Sequence, residues 1–234
     1  MPYRQVADGI FYVLRTGCQW KAAPRIFAPG STLHRRFQEW VKSRVFYKLW
    51  GLLLKEYEEL RGIRWRWQAL DSATTKAPLG GEATGPSPTD RGKSGTKRHI
   101  LSDQRGAPLA VHVTAANTHD MKAIFDTLDH QRLARPSLNV SGTQHLCLDK
   151  GYDYPEIERG VAQRRYVLHM PHRGEPVYEG LKRHSPKRWV VERVHSWQNR
   201  FRRLLIRWEK KVENYEAMIH FACALITYRM LFLG

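Results

Sequence analysis

The stretch His145-Leu146-Cys147-Leu148-Asp149 is a short apolar run that ends directly on a carboxylate. A run of this length and composition predicts a buried β-strand with Asp149 at its carboxyl end. An earlier run, from Ile63 to Leu70, alternates between apolar and polar residues and ends in the same way on Asp71. The sequence therefore predicts two strands that each carry an aspartate to the edge of a sheet.

The order of elements around these strands predicts the fold class. Residues 99–102 and 108–114 predict a hairpin around a turn at 103–106, residues 121–133 and 155–165 predict helices, and residues 166–170 predict a further strand. Helices beginning at Ser185 and Tyr215 end the pattern. This order is typical of the ribonuclease-H-like α/β fold, a mixed sheet with flanking helices. Its first and fourth strands are neighbours, so we expect Asp71 and Asp149 to converge.

Residues 1–62 predict a small helical unit in front of this sheet. Apolar residues recur at helical spacing in three segments, at 6–14, 33–41 and 46–60. The middle segment carries His34, Arg35 and Arg36 on another face, which is typical of a helix-turn-helix-like DNA-binding unit. A plain helical subdomain with a solvated face stays an open alternative. We expect residues 63–234 to form the ribonuclease-H-like domain, with a mobile loop over 78–96 where Gly, Pro, Ser and Thr are concentrated.

The charge balance indicates a polyanionic partner. The chain has 39 Lys and Arg against 22 Asp and Glu in 234 residues, a formal net charge of +17. Such a field attracts nucleic acid, so DNA or RNA is the leading partner. Basic secreted and ribosomal-type proteins have the same charge balance, so charge alone leaves the partner open.

Hydropathy and cysteine spacing indicate the compartment. The longest apolar stretch, residues 217–233, contains His220 and Arg229 and is shorter than the roughly 20 residues of a membrane span. The chain starts directly with a helical pattern instead of a signal peptide, and its three cysteines show no zinc spacing. We expect a soluble, cytoplasmic protein with reduced thiols.

Glu192 is the third candidate carboxylate. Phosphoryl transfer on DNA uses divalent cations with oxygen ligands, which a carboxylate trio supplies. Residues 182–211 are rich in Lys and Arg and contain only Glu192 and Glu209 as acids. Each candidate also has an ordinary explanation, since an Asp at a strand end often caps a turn and Glu192 can pair with Arg188. Their conjunction favours a Mg²⁺ site.

Six motifs along the chain add a resemblance to a known family. They are Leu14–Trp20, Asp71-Ser72, Thr89–His99, Ala116–Asp120, Asp149–Asp153 and Arg188–Arg193. In their order and spacing the chain resembles the DDE transposases of bacterial insertion sequences, in the group named after insertion sequence five. The resemblance implies that Asp71, Asp149 and Glu192 bind two Mg²⁺ ions, with Mn²⁺ able to substitute. It also implies that Arg188 supports Glu192 in catalysis, and that the enzyme excises and joins element ends.

The expected partner is double-stranded DNA, both the terminal inverted repeats of an element and the target, bound by a homodimer; no membrane and no small-molecule substrate are expected. The expected DNA contacts are His34, Arg35, Arg36, Lys93, Lys97, Arg98, Lys150, Arg193, Arg200, Arg202 and Arg203. Two positions depart from the family's pattern, where Ser185 replaces a common Tyr and Asn199 a common basic residue; Arg200 can substitute for the latter. Relatives usually have a further N-terminal segment, so a late start or a split reading frame stays open.

Two alternative functions remain at this point. A metal-dependent nuclease of the same fold would hydrolyse DNA without joining it. A DNA-binding protein derived from a transposase would bind without cutting, although the intact set of two aspartates and a glutamate argues against it. Strand transfer from pre-cleaved ends separates these classes.

Overall fold

Three helices precede the sheet, as predicted. The computed structural model describes residues 2–172 and 189–233. The first helices are α1 (Tyr3–Thr16), α2 (Gly30–Lys42) and α3 (Val45–Arg61). The predicted stripe of α1 is buried, at Val6, Ile10, Val13 and Leu14. The helix ends at Gly17, whose φ of 72° lies in the left-handed region that glycine adopts most readily.

Six strands of the described part form one mixed sheet. They are β1 (Trp67–Lys76), β2 (Gly85–Pro86), β3 (Ser94–Asp103), β4 (Pro108–Ala115), β5 (Gln144–Cys147) and β6 (Tyr166–His169). β3 pairs antiparallel with β1, β2 and β4, while β1 pairs in parallel with β5, and β5 with β6. The predicted ribonuclease-H-like α/β fold is confirmed, because the first strand lies between the hairpin and the strand that leads to Asp149.

Asp71 lies inside its strand, which corrects one prediction. β1 begins at Trp67 instead of Ile63 and continues past Asp71 to Lys76. It continues because pairing with β3 extends to Lys76 opposite Gly95. The parallel pairing with β5 stops earlier, at Ala69 opposite Cys147. Asp71 therefore lies where β1 loses its parallel partner, and the antiparallel partner supports the strand beyond that point.

The loop predicted over residues 78–96 is shorter in the structure. Ser94 to Thr96 already belong to β3, and Gly85–Pro86 pair with β3 as the short strand β2. Backbone pairing decides the conformation here, although the composition is typical of a loop. Gly95 also packs closely, because a Cβ at this position would lie 3.1 Å from the carbonyl oxygen of Thr75.

The helices of the second half differ in length from the predictions. α4 (Ile124–Asp129) follows a 3-10 turn and is shorter than the predicted helix over 121–133. α5 (Leu138–Ser141) and α6 (Pro155–Gln163) flank β5 in the chain. α7 (Trp189–Asn199) and α8 (Arg202–Leu205) divide the predicted apolar stripe between two helices. The predicted helix start at Ser185 lies outside the described residues.

The last helix, α9 (Val212–Phe232), ties both halves together. It is buried nearly all round, as predicted, and packs against α3. Buried residues of α1, α3, α9 and the sheet belong to one hydrophobic cluster. Because this cluster contains residues from both sides of residue 62, the domain boundary predicted there stays a prediction. Among the described residues, no helix is both long enough and apolar enough to cross a membrane.

Candidate active site

Strand register brings Asp71 and Asp149 together. Each follows the last parallel pair, Ala69 opposite Cys147, by two residues. The chain remains extended beyond β5, because the Leu148 N–H donates to the carbonyl of His169 at 3.0 Å and Asp149 has φ −88° and ψ 170°. Neighbouring strands lie about 4.8 Å apart. Equal register on adjacent extended segments therefore places both carboxylates on one face of the sheet.

Both aspartates accept a local backbone hydrogen bond. Oδ1 of Asp71 accepts from the N–H of Ser72, and Oδ1 of Asp149 accepts from the N–H of Gly151, each at 2.8 Å. Asp149 thereby caps the 3-10 turn of residues 150–152. A Cβ on Gly151 would lie 2.8 Å from that same oxygen, so a larger residue here would displace the carboxylate of Asp149. The capping role is real, and it also fixes the orientation of the carboxylate.

The buried hydroxyl of Tyr152 lies in the electric field of three aspartates. Tyr152 is 1% exposed, and its hydroxyl has no hydrogen-bond partner among the described residues. Burial raises its pKa well above the usual value, and the negative charges of Asp120, Asp71 and Asp149 raise that pKa further. The charges of three aspartates therefore act on one buried hydroxyl.

Glu192 lies in the first described turn of α7 and is exposed. α7 packs against β1 and β3, with Val191 and Val194 fully buried. One turn after Glu192, the His195 ring is 7% exposed and lies against the backbone of Asp71 without a well-formed hydrogen bond. Burial, together with the nearby charge of Arg98, lowers the pKa of His195 to about 3, so this ring is neutral at pH 7. Packing of α7 against β1 and β3 thus fixes Glu192 one helical turn before His195, the residue that lies against the backbone of Asp71.

Asp120 is a fourth carboxylate, which the sequence reasoning did not select. Its Oδ1 accepts from the hydroxyl of Ser72 at 2.9 Å and from Nζ of Lys97 at 3.0 Å. It thereby links the residue after Asp71 to β3. The motif Ala116–Asp120 ends on this acid and could have indicated it. The motif has no helical or strand periodicity, however, so the sequence did not predict which way the Asp120 side chain points.

The carboxylates form an oxygen-rich group whose members are spread out. Among the described residues, one group of three possible ligands has all donor atoms within 4.8 Å of one another: Asp153, Glu158 and His172. Asp71, Asp149 and Glu192 do not form so tight a group, and ligands of two cations about 3.5 to 4 Å apart need not do so. Arg188, predicted to support Glu192, lies outside the described residues.

Two predicted DNA contacts are contradicted by burial. Arg98 and Arg203 are 1% and 7% exposed. Arg98 donates to Oδ1 of Asn199 at 2.8 Å, and Arg203 forms an ion pair with Glu209 at 2.7 Å. Phosphates cannot reach guanidinium groups enclosed in this way. The sequence showed these charges but did not reveal that the interior encloses both side chains.

The remaining predicted contacts lie at least partly at the surface. Exposed or half-buried positions are occupied by His34, Arg35, Arg36, Lys93, Lys97, Lys150, Arg193, Arg200 and Arg202. Arg35 and Arg36 both pair with Glu39, which reduces the charge that α2 offers to a partner. Lys97 is mostly committed to Asp120. Arg193 lies over the rings of Trp189 and Trp197, each at 4.8 Å.

Comparisons with known proteins give a consistent set of similarities. Residues 67–227 match the family described as "Transposase DDE domain", and residues 1–50 match "Putative transposase of IS4/5 family". The chain is 34% identical over 154 residues to the "Putative transposase for insertion sequence element IS402" of Burkholderia cepacia, covering 63% of this chain and 70% of that protein. It is 32% identical over 87 residues to an "Insertion element IS402 uncharacterized 16.2 kDa protein" of the same organism, covering 36% of this chain and 59% of that protein.

Solved structures with a similar chain course include the catalytic domain of the Mos1 mariner transposase. That match has 10% identity and a TM-score of 0.34, and covers 78% of this chain and 91% of the other. A Mos1 mariner paired end complex with Mn matches with 10% identity and a TM-score of 0.33, covering 96% of this chain and 77% of the other.

Proposed function

The chain belongs to the family of transposases with a DDE domain, and from this premise we propose that it cleaves DNA at the ends of an insertion sequence and transfers those ends into target DNA. The observation that carries the proposal is the strand register, which places Asp71 and Asp149 at the same level on adjacent segments, each two residues beyond the pair Ala69–Cys147. Two carboxylates side by side at one edge of the sheet, in a chain with a formal net charge of +17, supply the oxygen ligands that a divalent cation needs.

We propose that Asp71, Asp149 and Glu192 hold two Mg²⁺ ions, for which Mn²⁺ can substitute. The donor set fits, because carboxylate oxygens are the hard ligands these cations prefer and no thiol lies among them. When bound, the two cations activate the attacking oxygen and stabilise the leaving oxygen. Asp120 supports the site by holding Ser72 and Lys97 in place.

The surrounding residues keep the carboxylates in a fixed orientation. Backbone N–H groups hold one oxygen of Asp71 and one of Asp149. The rings of Tyr152 and His195 are buried, and that of His195 lies against the backbone of Asp71. Functional groups held by packing and hydrogen bonds are preorganised for the transition state.

Double-stranded DNA is the proposed partner, in the form of terminal inverted repeats and target, with a homodimer bridging the two ends. The proposed contacts are the surface residues His34, Arg35, Arg36, Lys93, Lys150, Arg193, Arg200 and Arg202. Their phosphate contacts would supply affinity but no sequence information.

The test uses an end-labelled duplex that carries the inverted repeats flanking this coding sequence. Cleavage, and joining of pre-cleaved ends to a plasmid, are measured with Mg²⁺, Mn²⁺, Ca²⁺ or EDTA. We expect both reactions with Mg²⁺ or Mn²⁺, poor activity with Ca²⁺ and none with EDTA. Asp71→Asn and Asp149→Asn should abolish both reactions, while the control Asp129→Asn, at an exposed ion pair with Arg164, should not.

Each other outcome favours a different function. Cleavage without joining would indicate a nuclease of the same fold. DNA binding without either reaction, with every metal, would indicate a transposase-derived DNA-binding protein. Full activity in EDTA would refute the metal-dependent chemistry.

A further inference from the structure

A cleft of about 810 Å³ opens between the N-terminal helices and the end of α9. Its walls come from α1, α3, the turn between β3 and β4, α7 and α9. Six arginines line it: Arg15, Arg61, Arg105, Arg193, Arg200 and Arg229. None of the described residues around the cleft is Asp or Glu. The cleft is therefore a concentrated positive charge apart from the carboxylate site.

The guanidinium groups of the cleft contact backbone carbonyls instead of carboxylates. Arg15 donates to the carbonyl of Arg200 at 2.6 Å, Arg61 to that of Leu231 at 3.1 Å, and Arg193 to that of Arg105 at 2.6 Å. Within residues 2–172 and 189–233, none of the six forms an ion pair with an acid. Most of the donor capacity of the cluster is therefore available to an anion.

Helix capping explains only part of this charge. Arg15, Arg61 and Arg229 lie in the last turns of α1, α3 and α9, and Arg200 directly follows α7. A helix C-terminus carries roughly half a negative charge. Four such termini offset about two of the six positive charges. Four uncompensated charges would repel one another in one cleft, and a bound anion relieves that repulsion.

We propose that this cleft binds the phosphodiester backbone of a DNA segment outside the cleavage site, an inference that rests on the proposed function. Guanidinium groups bind phosphate bidentately. The rings of Phe11 and Tyr228, which are 40% and 47% exposed, line the same cleft and offer apolar faces on which bases can stack. Arginines combined with exposed aromatic rings suit nucleic acid better than a simple anion.

The cleft is placed so that a DNA molecule at the carboxylate site could contact the cleft as well. Gln68 of β1 pairs with Asp103 of β3, and the turn with Arg105 follows Asp103 at that end of the two strands. Asp71 lies three residues after Gln68, away from this turn. At about 3.3 Å per residue this separates the two regions by at least roughly 10 Å along the sheet. α7 connects them, because Glu192, which we propose as a cation ligand, and Arg193, which lines the cleft, are consecutive residues of this helix. DNA that follows α7 can reach both regions.

The experiment compares two variants that lose equal charge. The cleft variant combines Arg61→Gln, Arg105→Gln and Arg229→Gln, and the control combines Arg25→Gln, Arg66→Gln and Arg159→Gln, at exposed positions outside the cleft. Affinity for a duplex and for a single-stranded oligonucleotide is measured in EDTA between about 50 and 200 mM salt. We expect the cleft variant to reduce the log-log salt slope by about 2 or more, at roughly 0.9 per lost duplex contact or 0.7 per single-strand contact. The control should change it by less than about 1.

The two DNA forms distinguish which source of phosphodiester the cleft holds. A loss confined to the single strand assigns it to unpaired DNA, and a loss on the duplex assigns it to paired DNA. Equal slopes for cleft variant and control on both forms would overturn the proposal. If the triple variant melts well below the parent, the single variants Arg105→Gln and Arg229→Gln replace it, and a Lys at each position should restore the slope.

The outcomes also separate this proposal from the proposed function. Binding in EDTA involves no cleavage. Binding that depends on the cleft in a protein that never cleaves would refute the proposed function alone. Cleavage by a protein whose binding ignores the cleft would refute the cleft alone.

Discussion

Glu192 and Glu209, the two acids of the basic segment 182–211, should respond in opposite ways to the same isosteric change. Glu192 is exposed on the first described turn of α7. Glu209 is 7% exposed and holds Nε of Arg203, itself 7% exposed, at 2.7 Å. The change to Gln preserves size in both cases and removes only the negative charge. We therefore expect Glu192→Gln to affect chemistry and Glu209→Gln to affect folding.

The magnitudes follow from burial. Loss of one preorganised electrostatic group at a reaction centre costs about a hundredfold or more in rate. An exposed substitution changes stability by about 0.5 kcal/mol at most, which shifts Tm by roughly 2 °C or less in a chain of this size. Breaking a buried ion pair costs about 3 to 5 kcal/mol. We take about 3 kcal/mol for Glu209→Gln, because Gln retains one hydrogen bond, and this corresponds to roughly 6 to 12 °C in Tm.

The assay pairs strand transfer from pre-cleaved ends with thermal unfolding followed by circular dichroism. Glu213→Gln is the control, because this acid is 53% exposed and pairs only loosely with Lys211, at 3.7 Å. Glu192→Gln should transfer at least about a hundredfold more slowly at unchanged Tm and nearly unchanged DNA affinity. Glu209→Gln should melt early yet transfer normally well below its Tm. Glu213→Gln should match the parent in both measurements.

One pattern of results would refute this reasoning. If Glu192→Gln transferred at the parent rate while a fully folded Glu209→Gln or Glu213→Gln were inactive, the third carboxylate would have been assigned to the wrong glutamate. A large fall in Tm for Glu192→Gln would show instead that α7 needs this side chain for packing.

Three further predictions follow from the same geometry. Burial lowers the pKa of His195 and of His220 to about 3. Since a histidine of the unfolded chain has a pKa near 6.5, the unfolded chain binds more protons than the folded one between these values. Tm should therefore fall as pH decreases from about 6.5 to 4, and His220→Gln should flatten that dependence. Arg202→Ala should lower the salt slope of duplex binding by about 0.9, and an unchanged slope would exclude Arg202 as a phosphate contact. Gly151→Ala should reduce strand transfer sharply with little loss of secondary structure, because its Cβ would lie 2.8 Å from Oδ1 of Asp149; normal transfer would show that this orientation of the carboxylate is unnecessary.

Residue spacing predicted helices and strands well where buried positions recur at a regular interval. The stripe of α1, the hairpin of β3 and β4, and the all-round burial of α9 follow from residue spacing and were confirmed. Element ends were less predictable, because tertiary pairing sets them. β1 extends to Lys76 only because β3 lies beside it, and Ser94–Thr96 form a strand despite their loop-like composition.

Charge was the property that the sequence described least well. Arg98, Arg203 and Arg202 look alike in the chain, yet the first two are enclosed and only the third is exposed. The acceptor of Arg98, Asn199, lies 101 residues later in the chain, whereas Glu209 lies only six residues after Arg203. No local pattern contains the pairing of Arg98 with Asn199, and a spacing of six residues does not by itself indicate that Arg203 and Glu209 are buried.

The sequence by itself determined the family, the order of strands and helices, and which aspartates follow apolar runs, because these depend on residue type and short-range spacing. The tertiary structure alone decided that Asp71 and Asp149 share one register and that Asp120 accepts from the hydroxyl of Ser72, the residue after Asp71. It also decided that six arginines from five separate parts of the fold line one cleft. Both arrangements join residues far apart in the chain, and only the pairing of β1 with β5 and the packing of α7 and α9 set the distances between them.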